Sequence, residues 1–447
     1  MSCSRGAYLR VYGRGVSLLV GAMLALTGWA TTVHAAKPAR SGESPRVERS
    51  ARFVLHTDLS PAEAKQLLER LQDTLAEVAD YWQRPPRGRI KCFVVDDLDN
   101  WPRDSLPHPM ARLIIDRIGG VTLVDTTQAG IRTERQVTVL ATSQQGAAEH
   151  EVVHAYCALM FGVTGPVWYR EGIAQVFAYN EETDGGLHCP REMLSDLASH
   201  SPKPISKVVK CNNVSCGLYD SLVKKMKGRD KRTAFLSVDN WNQRDVRELN
   251  RLKQDYAWYW LACQLLYHNP NYQDRFKLLG QNYLANRRDT FDELFGPIMD
   301  QLSFEYEFTF RRFEPGYRID LCHWDWDKRF GRGGESTRVR IKAARGYQAS
   351  RLYVRRGQSY RVETRGSWKT HPRHPTTTAA GNPGGCGRLE GVVMKDYQLS
   401  KPFGIGAKGS FKAPSSGRLY LRCRDDWTKL HHNEGSIVVM LQHLKET

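Results

Sequence analysis

His150 and His154 stand four residues apart with Glu151 between them, in the order His150-Glu151-Val152-Val153-His154. On a helix, positions i and i+4 share one face, so two imidazoles at this spacing can grip one metal ion. Glu151 is then placed to take a proton from a metal-bound water. A catalytic zinc needs three protein ligands and one open position. Glu171, beyond the Gly165-Pro166 turn, is the third candidate, giving a His2Glu set. The chemistry such a set performs is metal-assisted hydrolysis, with Glu151 as general base. The oxyanion formed needs a donor besides the metal. Tyr256 and Tyr259 have the right chemistry for it, and both equally suit the aromatic core of an apolar helix.

These residues need elements to carry them. Alanine and valine positions from Ala147 to Met160 predict a helix through the His-Glu-His pattern, with Ser143 as its N-cap and Gly162 near its end. A second helix starting near Val167 would swing Glu171 back over the first. Ahead of them, Arg52–Thr57 and Ile90–Val95 read as strands, as do the stretches 119–124 and 136–140. Ser60-Pro61-Ala62-Glu63 is a capping box with proline at N1, opening a helix to about Gln83. The stretch Tyr256–His268 reads as a strongly apolar helix, followed by helices around 273–287 and 290–310. The glycine-rich stretch Phe330–Gly334 reads as a linker, and beyond it short alternating segments and Gly/Pro turns predict an all-β unit. The expected fold class is α+β: a zincin-like domain of mixed sheet and helices over residues 51–330, then an all-β sandwich over 335–447.

The stretch His150–Ala174 resembles the gluzincin metallopeptidases, whose third ligand lies in a W-x-x-E-G-x-A signature. Trp168-Tyr169-Arg170-Glu171-Gly172-Ile173-Ala174 matches it. Residues from about 52 to 310 are similar to peptidase MA-type domains of exported bacterial proteins. The resemblance implies Zn2+ held by His150, His154 and Glu171, and a protein or peptide substrate. The aminopeptidase motif G-x-M-E-N is absent, which points to an endopeptidase or an unusual specificity. A non-peptide amide substrate stays open.

The C-terminal unit resembles the galactose-binding PA-I type bacterial lectin, most clearly over Leu419–Leu441 and also over Arg351–Trp368 and Cys386–Lys395. In that family a calcium ion bridges protein and sugar. The resemblance places Asp425, Asn433 and His432 at side-chain ligand positions, with His432 where the family has Asn. It places His371 and Lys429 where the family supplies backbone carbonyls, and His374 near a sugar-contacting histidine. Ca2+ and a galactose-like glycan are the implied ligand and partner. Trp368 and Trp427 suit either sugar stacking or core. The alternative to an enzyme is a non-catalytic carbohydrate- or envelope-binding protein built on a gluzincin-like scaffold.

The chain has 447 residues, a formal charge of +17 and ten cysteines. Arg5, Arg10 and Arg14 precede an apolar stretch from about Val16 to Trp29, and Val33-His34-Ala35 offers a cleavage site. Residues 1–35 therefore read as an export signal and 36–50 as a flexible leader, giving a secreted, periplasmic or cell-envelope protein. No second apolar run has spanning length, so no stable membrane insertion is expected. Export favours disulfides, and the nine cysteines beyond the signal leave at least one unpaired. Cys157 reads as a buried thiol. Cys189, Cys211 and Cys216 suit disulfides or, with His188, a structural zinc site. The basic run Lys224–Arg232 has no interleaved aromatics or nucleic-acid motif, so it reads as a solvated face and no nucleic-acid partner is expected.

Overall fold

A computed structural model describes residues 16–24, 45–108, 111–129, 132–179, 186, 191–210, 243–287, 290–332, 336–373 and 375–444. The fold is α+β, with a helix-rich part followed by an antiparallel β-region.

The first sheet has six strands: β1 (Val16–Leu24), β2 (Arg46–Arg49), β3 (Phe53–Thr57), β4 (Ile90–Val95), β5 (Gly119–Ala129) and β6 (Arg132–Thr142). They lie in the order β1-β5-β6-β4-β3-β2. The pairs β3–β4 and β4–β6 are parallel and the others antiparallel. The last two strands are longer than the sequence pattern indicates and form one ribbon, paired from Gly120–Ala141 to Ala129–Arg132. Val16–Leu24, part of the expected export signal, is the edge strand beside β5.

Helix α1 (Pro61–Trp82) carries the expected capping box. Ser60 accepts from the Glu63 amide, and Glu63 accepts from the Ser60 amide at 3.0 Å. It buries Leu67, Leu71, Leu75, Val78 and Trp82 against one face of the sheet. Helix α2 (Ala111–Arg117) covers the other face, where Ile114 and Ile115 pack with Trp101, Val121 and Leu140 in a smaller core. Helix α3 (Ala147–Phe161) holds the His-Glu-His pattern. It is buried on every side from Ala147 to Ala158, so its sequence lacks a polar stripe. Its N-cap is Gly146, with φ 83°, and not Ser143. The Ser143 hydroxyl instead donates to Asp96 Oδ1 at 2.7 Å, because the chain leaves β6 beside the end of β4.

Pro166 caps helix α4 (Val167–Ala178) after a turn through Gly165 at φ 84°. The helix expected from Tyr256 begins earlier and spans Gln243–His268. The helices beyond it break into Gln273–Leu284, Thr290–Phe295 and Met299–Phe310.

The β-region contains β7 (Gly331–Arg332), β8 (Thr337–Lys342), β9 (Gln348–Val354), β10 (Ser359–Lys369), β11 (Leu389–Lys395), β12 (Gln398–Leu399), β13 (Phe403–Gly404), β14 (Lys408–Lys412), β15 (Gly417–Cys423) and β16 (Glu434–His443). One sheet runs β14-β10-β16-β8 and the other β12-β11-β15-β9-β7. Alternate residues face inward: Ile341, Val362, Val439 and Leu441 meet Leu352, Leu389, Val393 and Leu421 in a dry core. Gly331 and Arg332, expected in a linker, already pair with β9.

The joint between the two parts is packed. Phe304 and Phe308 from Met299–Phe310 meet Trp324, Trp326, Tyr347, Tyr420 and Trp427 in one aromatic cluster. Phe308 lies 5.4 Å from both Trp324 and Trp427. Leu430, in the loop before β16, is fully buried in the core of the helical part. Hydrogen bonds close the seam: the Gly346 amide donates to Leu321 O at 2.8 Å, and the Ala349 amide donates to the Asp325 carboxylate Oδ2 at 2.8 Å.

Candidate metal centre

Helices α3 and α4 bring His150, His154 and Glu171 together at full burial. His150 Nε2 is 3.0 Å from His154 Nε2, and each is 3.3 Å from Glu171 Oε2. The centre of such a triangle lies about 1.9 Å from each corner, just inside the Zn–N distance of ~2.0–2.1 Å. One zinc ion would therefore be within reach of all three atoms. Burial pushes His150 down to about 4, against a smaller upward pull from Glu171, so the imidazole is neutral at neutral pH. Burial alone would raise the Glu171 carboxyl. The facing His154 and Arg170 outweigh it and hold the group well below the usual carboxylate range. Arg170 Nε donates to Glu171 Oε1 at 2.8 Å, which leaves Oε2 for the triangle. Among the described residues, no other group of three His, Cys, Asp or Glu side chains converges this closely.

Glu151, fully buried, is fixed from the sheet. Thr122 Oγ1 lies 2.8 Å from its carboxylate Oε2 and 2.8 Å from its backbone carbonyl. Gly120 makes room: a methyl group there would come within 3.1 Å of Glu151 Cγ. Neither Thr122 nor Arg170 carries a sequence signal. Thr122 sits on a strand remote along the chain, and Arg170 is an unremarkable basic residue inside the signature.

The long helix separates the two tyrosines. Burial raises the Tyr256 hydroxyl well above its ordinary value, and the negative charge and hydrogen bond of Glu171 add to this. The Tyr256 ring is 6.4 Å from that of His150. Tyr256 thus stands beside the triangle of His150, His154 and Glu171. Tyr259 is buried one turn further on, where its backbone carbonyl faces Gly172. That contact sets the approach of α4 to the long helix, because a Cβ on Gly172 would lie 2.5 Å from Tyr259 O and 2.5 Å from Cys263 Sγ.

In the sandwich, Asp425 Oδ1 accepts from the Asp426 amide at 2.8 Å and from the Cys386 thiol at 3.1 Å, while Oδ2 is buried without a partner. Asn433 Nδ2 donates to Ala343 O at 3.3 Å, and its Oδ1 is buried without a partner. The rings of His371 and His432 meet edge to face at 5.4 Å. Lys429 is exposed and 3.6 Å from Asp426. Neither tryptophan offers a stacking face. Trp368 is buried with its Nε1 donating to Gly387 O at 2.7 Å, and Trp427 is covered by the Arg422 guanidinium at 4.0 Å. His374, His188, Cys189, Cys211, Cys216 and the run Lys224–Arg232 lie outside the described residues. Cys92, Cys157, Cys263, Cys322, Cys386 and Cys423 are all unpaired thiols, and burial pushes Cys157 up to about 12. No helix among the described residues is long and apolar enough to cross a membrane.

No protein-family model and no curated protein matches this chain. Among solved structures, it is similar to one described as "EclA N-terminal domain; PllA-like lectin", at 14% identity and a TM-score of 0.21. That likeness covers 24% of this chain and 96% of the other.

Proposed function

We propose that this chain is an exported zinc-dependent endopeptidase. The observation that carries the reading is the triangle of His150 Nε2, His154 Nε2 and Glu171 Oε2, with edges of 3.0–3.3 Å, buried beside the Glu151 carboxylate. A zinc ion there would supply a bound water of near-neutral pKa and a Lewis acid for the scissile carbonyl. Glu151 takes the proton of the attacking water and delivers it to the departing amine. Thr122 and the close approach of Gly120 hold that carboxylate in one orientation, so little reorganisation is needed when charge moves. Tyr256, at the edge of the centre, donates to the oxyanion that develops on the carbonyl. Arg170 keeps Glu171 ionised and leaves its Oε2 facing the two imidazoles, as a supporting charge beyond metal ligands would.

The test combines metal content with cleavage. Chain purified without chelators is expected to hold one zinc per molecule and to cleave members of a broad peptide library. Glu151→Gln is expected to keep the zinc and the fold and to lose cleavage by about 10²–10⁴, the usual worth of a general base. Loaded protein that cuts no peptide, or protein without stoichiometric zinc, refutes the reading.

The unpartnered Asp425 Oδ2 and Asn433 Oδ1 support a hard cation in the sandwich, since buried oxygens without partners are costly. Calcium is expected to raise the melting temperature, an effect absent in Asp425→Ala. No shift with calcium refutes it.

A further inference from the structure

The outward face of the sheet β14-β10-β16-β8 is cationic. Strand register and exposure put Arg338, Arg340 and Lys342 of β8, Arg361 and Arg365 of β10 and Lys408 of β14 on it. Glu363 is the carboxylate among them, and Lys369 stands opposite Glu434 at the edge. Positions two apart along a strand are about 6.8 Å apart, and neighbouring strands ~4.8 Å. The charges thus form a lattice on a sheet surface. Among the described residues none of the six makes an ion pair, and Arg340 bonds only the Ser436 hydroxyl, at 3.1 Å. A hollow of about 340 Å³ opens between Arg338 and Arg361, with Glu363 and Gln442 in its walls. That size lies at the lower end of ligand pockets, which span about 300–1,000 Å³.

We propose that this face binds an acidic polysaccharide, with carboxylates or sulfates on the arginines and sugar hydroxyls on Glu363 and Gln442. Charge complementarity selects a polyanion, and arginine favours planar carboxylate through paired N–H donors. The composition of the hollow selects among polyanions. A carboxylate acceptor beside the arginines suits a partner rich in hydroxyl donors and opposes one made of phosphates alone. The face carries no aromatic platform on which bases stack, which disfavours single-stranded nucleic acid. Its apolar members, Val438 and Met440, are half-buried among the charged rows and leave no anchor for a bilayer.

The test measures binding of the full chain to polygalacturonate, with inorganic polyphosphate, oligothymidylate, phosphatidylglycerol vesicles and neutral galactan as comparisons. It needs no hydrolysis, so it stands or falls apart from the metal centre. Polygalacturonate is expected to bind most tightly and to weaken as salt rises. The triple variant Arg338→Ser, Arg361→Ser, Arg365→Ser is expected to bind at least tenfold more weakly with an unchanged melting temperature. Arg361→Glu serves if the triple variant fails to fold. Glu363→Gln is expected to tighten polyphosphate but not polygalacturonate. The run Lys224–Arg232 stays intact throughout, so a triple variant that binds as the parent places the polyanion elsewhere and overturns the proposal. Tighter capture of vesicles, oligothymidylate or neutral galactan overturns it too.

Discussion

Gly172 is a point of close approach between α4 and the long helix, and Gly172→Ala tests whether that closeness matters. A Cβ at this position would lie 2.5 Å from both Cys263 Sγ and Tyr259 O. Non-bonded atoms rest at about 3.5–4.0 Å, so α4 and the long helix must part by ~1 Å. Neither contact can yield alone: one is helix backbone, and the other is a fully buried thiol. Overpacking of this kind costs about 1–3 kcal/mol, and two contacts this short belong at the upper end. Alanine's better helix propensity returns about 1 kcal/mol. The net loss is then about 1–2 kcal/mol. For a unit of this size that lowers the melting temperature by about 2–8 °C, at ~2–4 °C per kcal/mol. Adding Cys263→Ala removes the sulfur contact but not the carbonyl, so it restores only part of the loss. The shift also reaches Tyr256, one turn back on the same helix, so on the proposed function hydrolysis is expected to fall and zinc content to be kept. Thermal melting by circular dichroism with metal analysis reads both effects. A variant that melts at or above the parent temperature refutes the close-packing argument.

Tyr256→Phe is expected to lower kcat by about 10²–10³, the usual worth of an oxyanion donor, with zinc retained, whereas Tyr259→Phe leaves kcat near that of the parent; peptide cleavage under saturating substrate compares them. Glu305, buried beside the joint, accepts from Asn269, Asn271 and Tyr272 at 2.5, 2.8 and 3.0 Å. Burial lifts its carboxyl to about 7 from 4.5, although these donors pull downward. The folded chain therefore holds a proton that the unfolded chain releases, so this stability is whole below pH 4.5 and lost as pH rises through 7. Melting temperatures are expected to show that loss in the parent and not in Glu305→Gln. His268 runs the other way. Burial lowers it to about 4, so its contribution is whole above pH 6.5 and lost as pH falls through 4, a slope that His268→Gln removes. Trp427→Ala strips the ring between Phe308 and the Arg422 guanidinium. It is expected to cost about 3–5 kcal/mol, visible as a lower unfolding midpoint in urea.

The convergence of His150, His154 and Glu171 was legible because its geometry is local. The spacing of His150 and His154 fixes their shared face, and one turn separates α3 from the helix bearing Glu171. The choice between Tyr256 and Tyr259 was not legible. It depends on how the long helix is rotated against α4, and that rotation is set by Gly172, a residue whose role appears only in contact. The Ser143 cap failed for a similar reason. Its hydroxyl had a partner in Asp96, across the sheet, and Gly146 took the cap through its left-handed backbone. Trp427 reads the same in sequence whether it faces a sugar or a seam, since only the neighbouring Phe308 and Arg422 decide. The cationic sheet face was hidden by alternation, with each basic residue separated from the next by an inward apolar one or by a change of strand.

The buried Leu430 has a consequence for mechanics. A sandwich fastened by a side chain in its neighbour's core cannot swing on a tether, so both parts turn as one body. A polymer lying on the sheet face would then stand at one fixed span from the triangle of His150, His154 and Glu171. Cuts in an attached protein would fall at a set distance from the point of attachment, as with a ruler. The gain would come from local concentration and not from a tighter grip on the peptide itself.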